Sequence, residues 1–125
     1  MTLTLHRALD QKGPILTKAV VRAADKLNLS GAVAASALGL SEASFSRMRQ
    51  DAFILTPDSK PYELGAHLVR LYRALDAIVG GDDRAAAVWM HSPNSALGAR
   101  PVDLITTIRG LFDVIAYLDA RRARL

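Results

Sequence analysis

The sequence contains no cysteine and few aromatic residues, and both shortages narrow the class of protein. Without cysteine, the 125-residue chain can form no disulfide bond and offers no thiolate to a metal ion. Only 6% of its residues are aromatic although 50% are hydrophobic, and alanine and leucine, which favour helices, dominate the apolar set. No uncharged apolar run approaches the roughly 18 residues of a membrane span, and the first residues lack the apolar core of a signal peptide. We therefore expect a soluble, helical, cytoplasmic protein.

The sequence also lacks a recognisable catalytic or metal-binding arrangement. Its histidines, His6, His67 and His91, are dispersed and do not have metal-ligand spacing. No glycine-rich phosphate loop follows a strand, and neither a Ser/His/Asp set nor a carboxylate pair stands out. We therefore predict no enzyme activity, no metal and no cofactor. His67 is expected to be structural, and His91 to have a capping or interface role.

Positive charge is in modest excess. The formal net charge is +4, and residues 1–60 carry 8 basic against 5 acidic side chains. Such an excess attracts polyanions, so it gives weak support to nucleic-acid binding.

Apolar spacing and capping residues predict an all-α protein with seven helices. Residues 1–12 are expected to form a loosely ordered arm, with Pro14 initiating the first helix. Residues 52–60 form the only clear connector. The predicted helices are 15–29, 31–38 with Ser30 as N-cap, 41–51, 62–79 as the longest, 82–90, 101–108 and 110–122.

Residues 31–50 have the spacing of a helix-turn-helix. The motif requires a small residue in its first helix, a turn glycine four residues later and an apolar anchor six residues after that. Ala35, Gly39 and Phe45 occupy these positions. The other positions expected to be buried are all apolar, namely Ala34, Leu38, Leu40 and Met48.

The second helix of this motif would present polar side chains to the DNA major groove. Arginine can bind guanine through two hydrogen bonds, glutamine can bind adenine, and serine can bind bases or phosphate. Glu42 at the same end would repel phosphate unless it contacts a cytosine. An ordinary packed helix pair with a solvated face remains the alternative. The predicted DNA-binding residues are Ser41, Ser46, Arg47, Arg49 and Gln50, with Arg49 nearer the DNA backbone and with Glu42 and Ala43 on the same face.

The segment from Trp89 to Ile105 combines a helix end, a fixed polar turn and a new helix. Pro93 cannot continue a helix, Asn94 and Gly98 suit turn conformations, and Pro101 fits a first helical turn. With its flanks, the segment resembles the C-terminal toxin-binding domain of the Xre/MbcA/ParS antitoxin family. The resemblance is carried by Trp89, Ser92-Pro93-Asn94, Leu97-Gly98, Pro101, Asp103-Leu104, Gly110-Leu111, Val114 and Tyr117-Leu118-Asp119.

The resemblance implies that this domain covers the active site of a RES-type toxin, which degrades NAD or transfers its ADP-ribose. It also implies that the end of the chain reaches toward the toxin pocket. Arg121, Arg122, Arg124 and Leu125 are then the predicted toxin-binding residues. A cationic helix terminus or a frayed basic tail is the alternative interpretation of the arginines. Trp89, Pro93, Asn94, Gly98, Pro101 and Gly110 are expected to build the surface, with Trp89 as a core anchor beneath the turn.

The sequence thus predicts two parts, a helix-turn-helix bundle at 13–60 and a helical toxin-binding domain at 61–125. The leading hypothesis is a type II antitoxin that binds its toxin and its operator DNA, as a homodimer or a larger assembly. One alternative is a free-standing transcriptional regulator whose C-terminal domain only oligomerises. Another is an interaction protein whose helix-turn-helix no longer binds DNA.

Overall fold

The chain folds into helices joined by short turns. The structure is a computed structural model that describes residues 2–124, with side chains from residue 10 to residue 124. Over the described residues there are seven helices and no strand, so the all-α prediction is confirmed. The helices are α1 (Thr2–Lys26), α2 (Gly31–Leu38), α3 (Glu42–Arg49), α4 (Lys60–Ile78), α5 (Asp83–His91), α6 (Pro101–Leu104) and α7 (Ile108–Ala123).

The first helix begins much earlier than the sequence indicated. The predicted loose arm at 1–12 is wrong, because α1 starts at Thr2 and contains Pro14 in its interior. With 25 residues it is also longer than the 19-residue α4, which had been expected to be the longest. Pro14 removes one helical hydrogen bond, but Leu, Ala, Arg, Gln and Lys are frequent in the preceding residues and favour helix. Their combined propensity outweighs the proline.

A buried threonine ties α1 to the connector before α4. Thr17 has a hydroxyl that donates to the Gly13 carbonyl at 2.7 Å and accepts from the Leu55 amide at 2.9 Å. At Gly13 the two chain segments nearly touch, since a Cβ there would lie 2.6 Å from the Leu55 carbonyl oxygen. The connector therefore has a fixed path across α1 although it has no regular structure of its own.

The helix-turn-helix forms where the sequence predicted it. Ser30 caps α2 by accepting from the Val33 amide, and Ser41 caps α3 by accepting from the Ser44 amide. Gly39 has a φ of +69°, a conformation that side chains resist. Local capping chemistry thus determines both helices and the turn between them.

Helix α4 joins the two predicted parts of the chain. It packs against α1 and α2 on one side and against α7 on the other. The packing is tight at Gly65, where a Cβ would lie 3.0 Å from Val20 and 3.2 Å from Leu55. One hydrophobic core therefore runs from α1 through α7, and the division at 60/61 stays a prediction.

Replacing Thr17 by valine should destabilise the fold by about 1–3 kcal/mol, because the buried Leu55 amide would lose its acceptor. The measurement is the free energy of unfolding in urea. Thr17→Ser keeps the hydroxyl and should lose much less. Equal losses in both variants would show that the methyl group, rather than the hydrogen bond, matters.

Candidate DNA-binding and toxin-binding surfaces

Helix α3 exposes the residues predicted to bind DNA. Phe45 and Met48 are buried, and Ser41, Ser46, Arg47, Arg49 and Gln50 are all exposed. At about 100° per residue, Ser46, Arg47 and Gln50 lie on the face opposite the buried pair, together with Ala43. This face presents hydroxyl, guanidinium and amide groups side by side, which is the chemistry needed to contact base edges and phosphates.

A short hydrogen-bond chain orients Arg47 along α3. Ser41 Oγ accepts from the Ser44 amide at 3.1 Å and donates to Ser44 Oγ at 3.0 Å. Ser44 Oγ also accepts from Arg47 Nη2 at 3.1 Å. The sequence reasoning missed Ser44, although its spacing of three residues from both partners was a usable signal. The guanidinium is thus held toward the N-terminal end of the helix.

Arg49 and Glu42 flank the exposed face rather than occupying its centre. Arg49 donates to the Leu29 carbonyl at 3.3 Å, forms an ion pair with Asp25 at 3.4 Å and lies over the Phe45 ring at 4.8 Å. These contacts attach α3 to the end of α1. The Glu42 carboxylate lies beside Gly31, 3.7 Å from where a Cβ of that residue would stand. Glu42 therefore lies beside the start of α2, where the helix dipole favours a negative charge.

The polar turn after α5 is held by Asn94. Its side-chain oxygen accepts from the Leu97 amide at 3.1 Å, and its carbonyl accepts from the Gly98 amide at 2.8 Å. Gly98 has a φ of +80°, as the turn requires, and Asn94 pairs with Ala99 in an isolated β-bridge. Pro93 is exposed on this turn.

Trp89 is only half-buried, which corrects its expected role as a core anchor. The fully buried residue is its neighbour Met90. Trp89 packs against the edge of the core and stacks on Tyr117 of α7, with ring centroids 6.1 Å apart and 18° between planes. The indole therefore fixes α5 against α7 while one part of its surface stays open to solvent.

The α6–α7 corner differs in its bounds from the predicted helices 101–108 and 110–122. Pro101 does begin α6, but the helix ends at Leu104, and α7 begins at Ile108. The reason is Thr107, whose hydroxyl accepts from the Gly110 amide and caps α7 two residues earlier than expected. Gly110 lies inside α7, so close to α6 that a Cβ would be 1.8 Å from the Leu104 carbonyl oxygen.

The arginines predicted to bind a toxin lie at the end of α7. Arg121, Arg122 and Arg124 are all exposed, and Leu125 lies outside the described residues. Arg122 lines a groove to which α1 and α4 also contribute basic side chains. One turn earlier, Asp119 pairs with Arg70 of α4.

Polar contacts join α5 to the end of α1 and to α4. Lys26 forms an ion pair with Asp83 at 2.8 Å, and the Tyr72 hydroxyl donates to the same carboxylate at 3.1 Å. The Lys26 hydrogen bond lowers the pKa of Asp83 from 3.8 and raises the pKa of Lys26 from 10.5. Burial, followed by the bond to Asp83, raises the pKa of Tyr72 from 10.0. His91 donates through Nε2 to the Asn28 carbonyl at 3.0 Å, in keeping with its predicted capping or interface role.

His67 of α4 packs against an aromatic ring of α7 and belongs to no candidate metal cluster among the described side chains. His67 lies edge-on to Phe112, with ring centroids 4.6 Å apart. Among the residues with described side chains, no cluster of three or more His, Asp or Glu side chains could hold a metal ion. Within residues 2–124, none of the helices combines the length and apolar character needed to cross a membrane.

The fold thus has two parts on one core. The first is a helix-turn-helix with an exposed polar face, and the second is a small helical domain. Two family models match the chain. Residues 6–73 match the antitoxin Xre-like helix-turn-helix domain, and residues 74–124 match the antitoxin Xre/MbcA/ParS C-terminal toxin-binding domain. A comparison with curated proteins gives no match. The chain belongs to the Xre-like antitoxin family. The two domains support a type II antitoxin with DNA and a toxin as partners.

Replacing Gly110 by alanine should destabilise the protein by about 1–3 kcal/mol or more, because the new methyl group would collide with the backbone of α6. The matched control is Gly31→Ala, also in a helix, where a Cβ would meet only ordinary contacts. That control should be neutral or stabilising by up to about 1 kcal/mol. Thermal unfolding measures both. A Gly110→Ala variant as stable as the control would contradict the assigned crossing of α6 and α7.

Replacing Asp83 by asparagine should destabilise the protein at neutral pH, because the Lys26 ion pair is lost. The folded state lowers the pKa of Asp83, so the carboxylate stabilises the fold above the unfolded value near 3.8 and ceases to do so as the pH falls through the folded value. The difference between wild type and variant should therefore vanish in acid. Urea unfolding at neutral and acidic pH tests this, with Asp113→Asn on the exposed side of α7 as control. A pH-independent difference would argue against the ion pair.

Proposed function

We propose that this chain is the antitoxin of a type II module whose toxin is of the RES type, which consumes NAD or transfers its ADP-ribose. The C-terminal domain covers the toxin's active site, and α3 represses the shared operon. The observation that supports the proposal most is the presence of both matched domains on one core. A protein so built can bind toxin and DNA with two separate surfaces.

The DNA-binding surface of the proposal is the face of α3 with Ser46, Arg47 and Gln50, and Ser41 at its start. All four are exposed and lie outside the buried core, although Ser41 also caps α3. A single recognition helix contacts few bases, so operator binding requires two half-sites and thus a homodimer or a toxin-bridged assembly. Arg49 belongs at the margin of this surface, because it already binds Leu29 and Asp25.

The toxin-binding surface of the proposal is the end of α7 with Arg121, Arg122 and Arg124. Leu125, the next residue in the sequence, is included in the proposal and lies outside the described residues. Guanidinium groups pair strongly with carboxylates, so an acidic pocket lining would hold them. The Trp89–Tyr117 stack fixes α7 against α5, and the Asn94 turn shapes the loop before α6, so both serve as scaffold in this proposal.

Replacing Arg47 by alanine should weaken binding to the protein's own promoter by about 1–3 kcal/mol if the side chain contacts a base. Electrophoretic mobility or fluorescence anisotropy measures this, on promoter DNA and on random DNA. Arg84→Ala, an exposed arginine on α5, controls for the loss of one charge. A loss restricted to promoter DNA indicates base contact, and an equal loss on both DNAs indicates phosphate contact. Unchanged affinity would remove Arg47 from the surface.

Replacing Arg121, Arg122 and Arg124 by alanine together should abolish protection against the toxin encoded beside this protein, while the chain remains folded. The readout is growth on co-expression, with co-purification of the two proteins. Full protection by the triple variant would refute the tail contact, yet leave the antitoxin function standing. If the wild-type chain neither binds nor neutralises such a toxin, a free-standing regulator is favoured instead.

A further inference from the structure

A basic groove lies between α1 and α4, away from the α3 face. It consists of two adjoining hollows of about 550 and 430 Å³ that share Ala19, Val69 and Arg73. Six basic side chains line it, namely Lys12, Lys18, Arg22, Arg70, Arg73 and Arg122. None of the described lining residues is acidic, although Asp119 at the edge pairs with Arg70. The groove therefore concentrates much of the chain's positive charge in one place.

The floor of the groove is apolar. Ile15 of α1 lines it and is 63% exposed. Leu16, Ala19, Ala66 and Val69 continue the floor, with alanine on both helices at its middle. A phosphate backbone gains nothing from exposed isoleucine, whereas an apolar side chain of a protein partner does. The floor favours a polypeptide occupant over DNA.

The dimensions of the groove fit one helix. Its walls extend from Lys12 to Arg22 on α1 and from Tyr62 to Arg73 on α4, or about 15–17 Å at the rise of a helix. A third helix of about three turns would lie in this length with its apolar face on the floor. Its flanks would then face the lysines and arginines of the rim, so they should carry carboxylates.

We propose that this groove is a docking site for an acidic amphipathic helix of a partner protein. A second copy of the chain is a poor occupant, because it carries a net charge of +4 and would bring the same six cations against these. All lining residues except Arg122 lie within residues 6–73, the part that matches the helix-turn-helix model. The groove is therefore a third surface, distinct from the α3 face and sharing only Arg122 with the proposed toxin-binding end of α7.

The test uses the full chain, labelled with ¹⁵N, and a synthetic helical peptide of about 14 residues with leucines on one face and glutamates on the flanks. At low salt the peptide should bind and shift the amide signals around Ile15, Ala19, Ala66 and Val69. Arg73→Glu and Ile15→Ser should each weaken binding by about tenfold. Both positions are exposed, so the variants should melt like the wild type.

Matched controls separate this groove from general attraction to a basic protein. Arg84→Glu makes the same charge change on α5, and Ile108→Ser removes a 55% exposed isoleucine on α7. Neither should weaken binding. Equal binding of a scrambled peptide, or equal loss in Arg84→Glu, would overturn the proposal. It would also fail if random duplex DNA shifts these signals and the peptide does not, or if the groove variants abolish self-association of the chain.

Discussion

The close approach of α4 to α1 at Gly65 is the constraint on which the other packing depends. A side chain larger than hydrogen there would meet Val20, Leu55 and Leu38, which belong to α1, the connector and α2. Because three segments converge at this glycine, the helix-turn-helix can rest on one side of α4 while α7 covers the other. The same two helices border the basic groove, and the long cationic side chains that line it extend past the helix contact into solvent.

The DNA-binding and toxin-binding halves meet through polar groups at the last turn of α1 and the three residues that follow it. Arg49 reaches this stretch from α3 through Asp25 and Leu29. From the other side, α5 reaches it through Asp83 on Lys26 and His91 on Asn28. The recognition helix and the start of the toxin-binding match are therefore positioned by the same short stretch of chain. These bonds lie on partly exposed side chains, so they orient the helices while the apolar core supplies most of the stability.

Local chemistry made part of this structure predictable. The bounds of α2, the turn at Gly39 and the start of α3 follow from capping serines and a glycine within a few residues, and the structure confirms them. The predicted start of α1 was wrong because Pro14 was given more weight than the helix propensity of the residues before it. The predicted start of α7 was wrong because Gly110 was taken as the first residue of the helix, whereas Thr107 is its N-cap.

The sequence pattern could not predict contacts between residues that are far apart in the chain. Trp89 is half-buried because Tyr117, far along the chain, provides one stacking face and the core closes only one side. The basic groove draws on Lys12, Arg73 and Arg122, whose separation in sequence gave no hint that one hollow collects them. Counting charges in each half of the chain shows the excess of basic side chains but not where they gather in the fold.

The residues that mark the family and those proposed to bind partners obey different physical demands. Gly110 must lack a side chain because the backbone of α6 lies against it, and Gly98 must adopt a positive φ for the turn to close. Neither demand depends on any partner. Arg47 and Arg124, in contrast, lie on exposed surfaces where the fold tolerates many side chains. A substitution at such positions would therefore leave the helix crossings unaltered. The residues that carry the family resemblance are accordingly those that the scaffold itself requires.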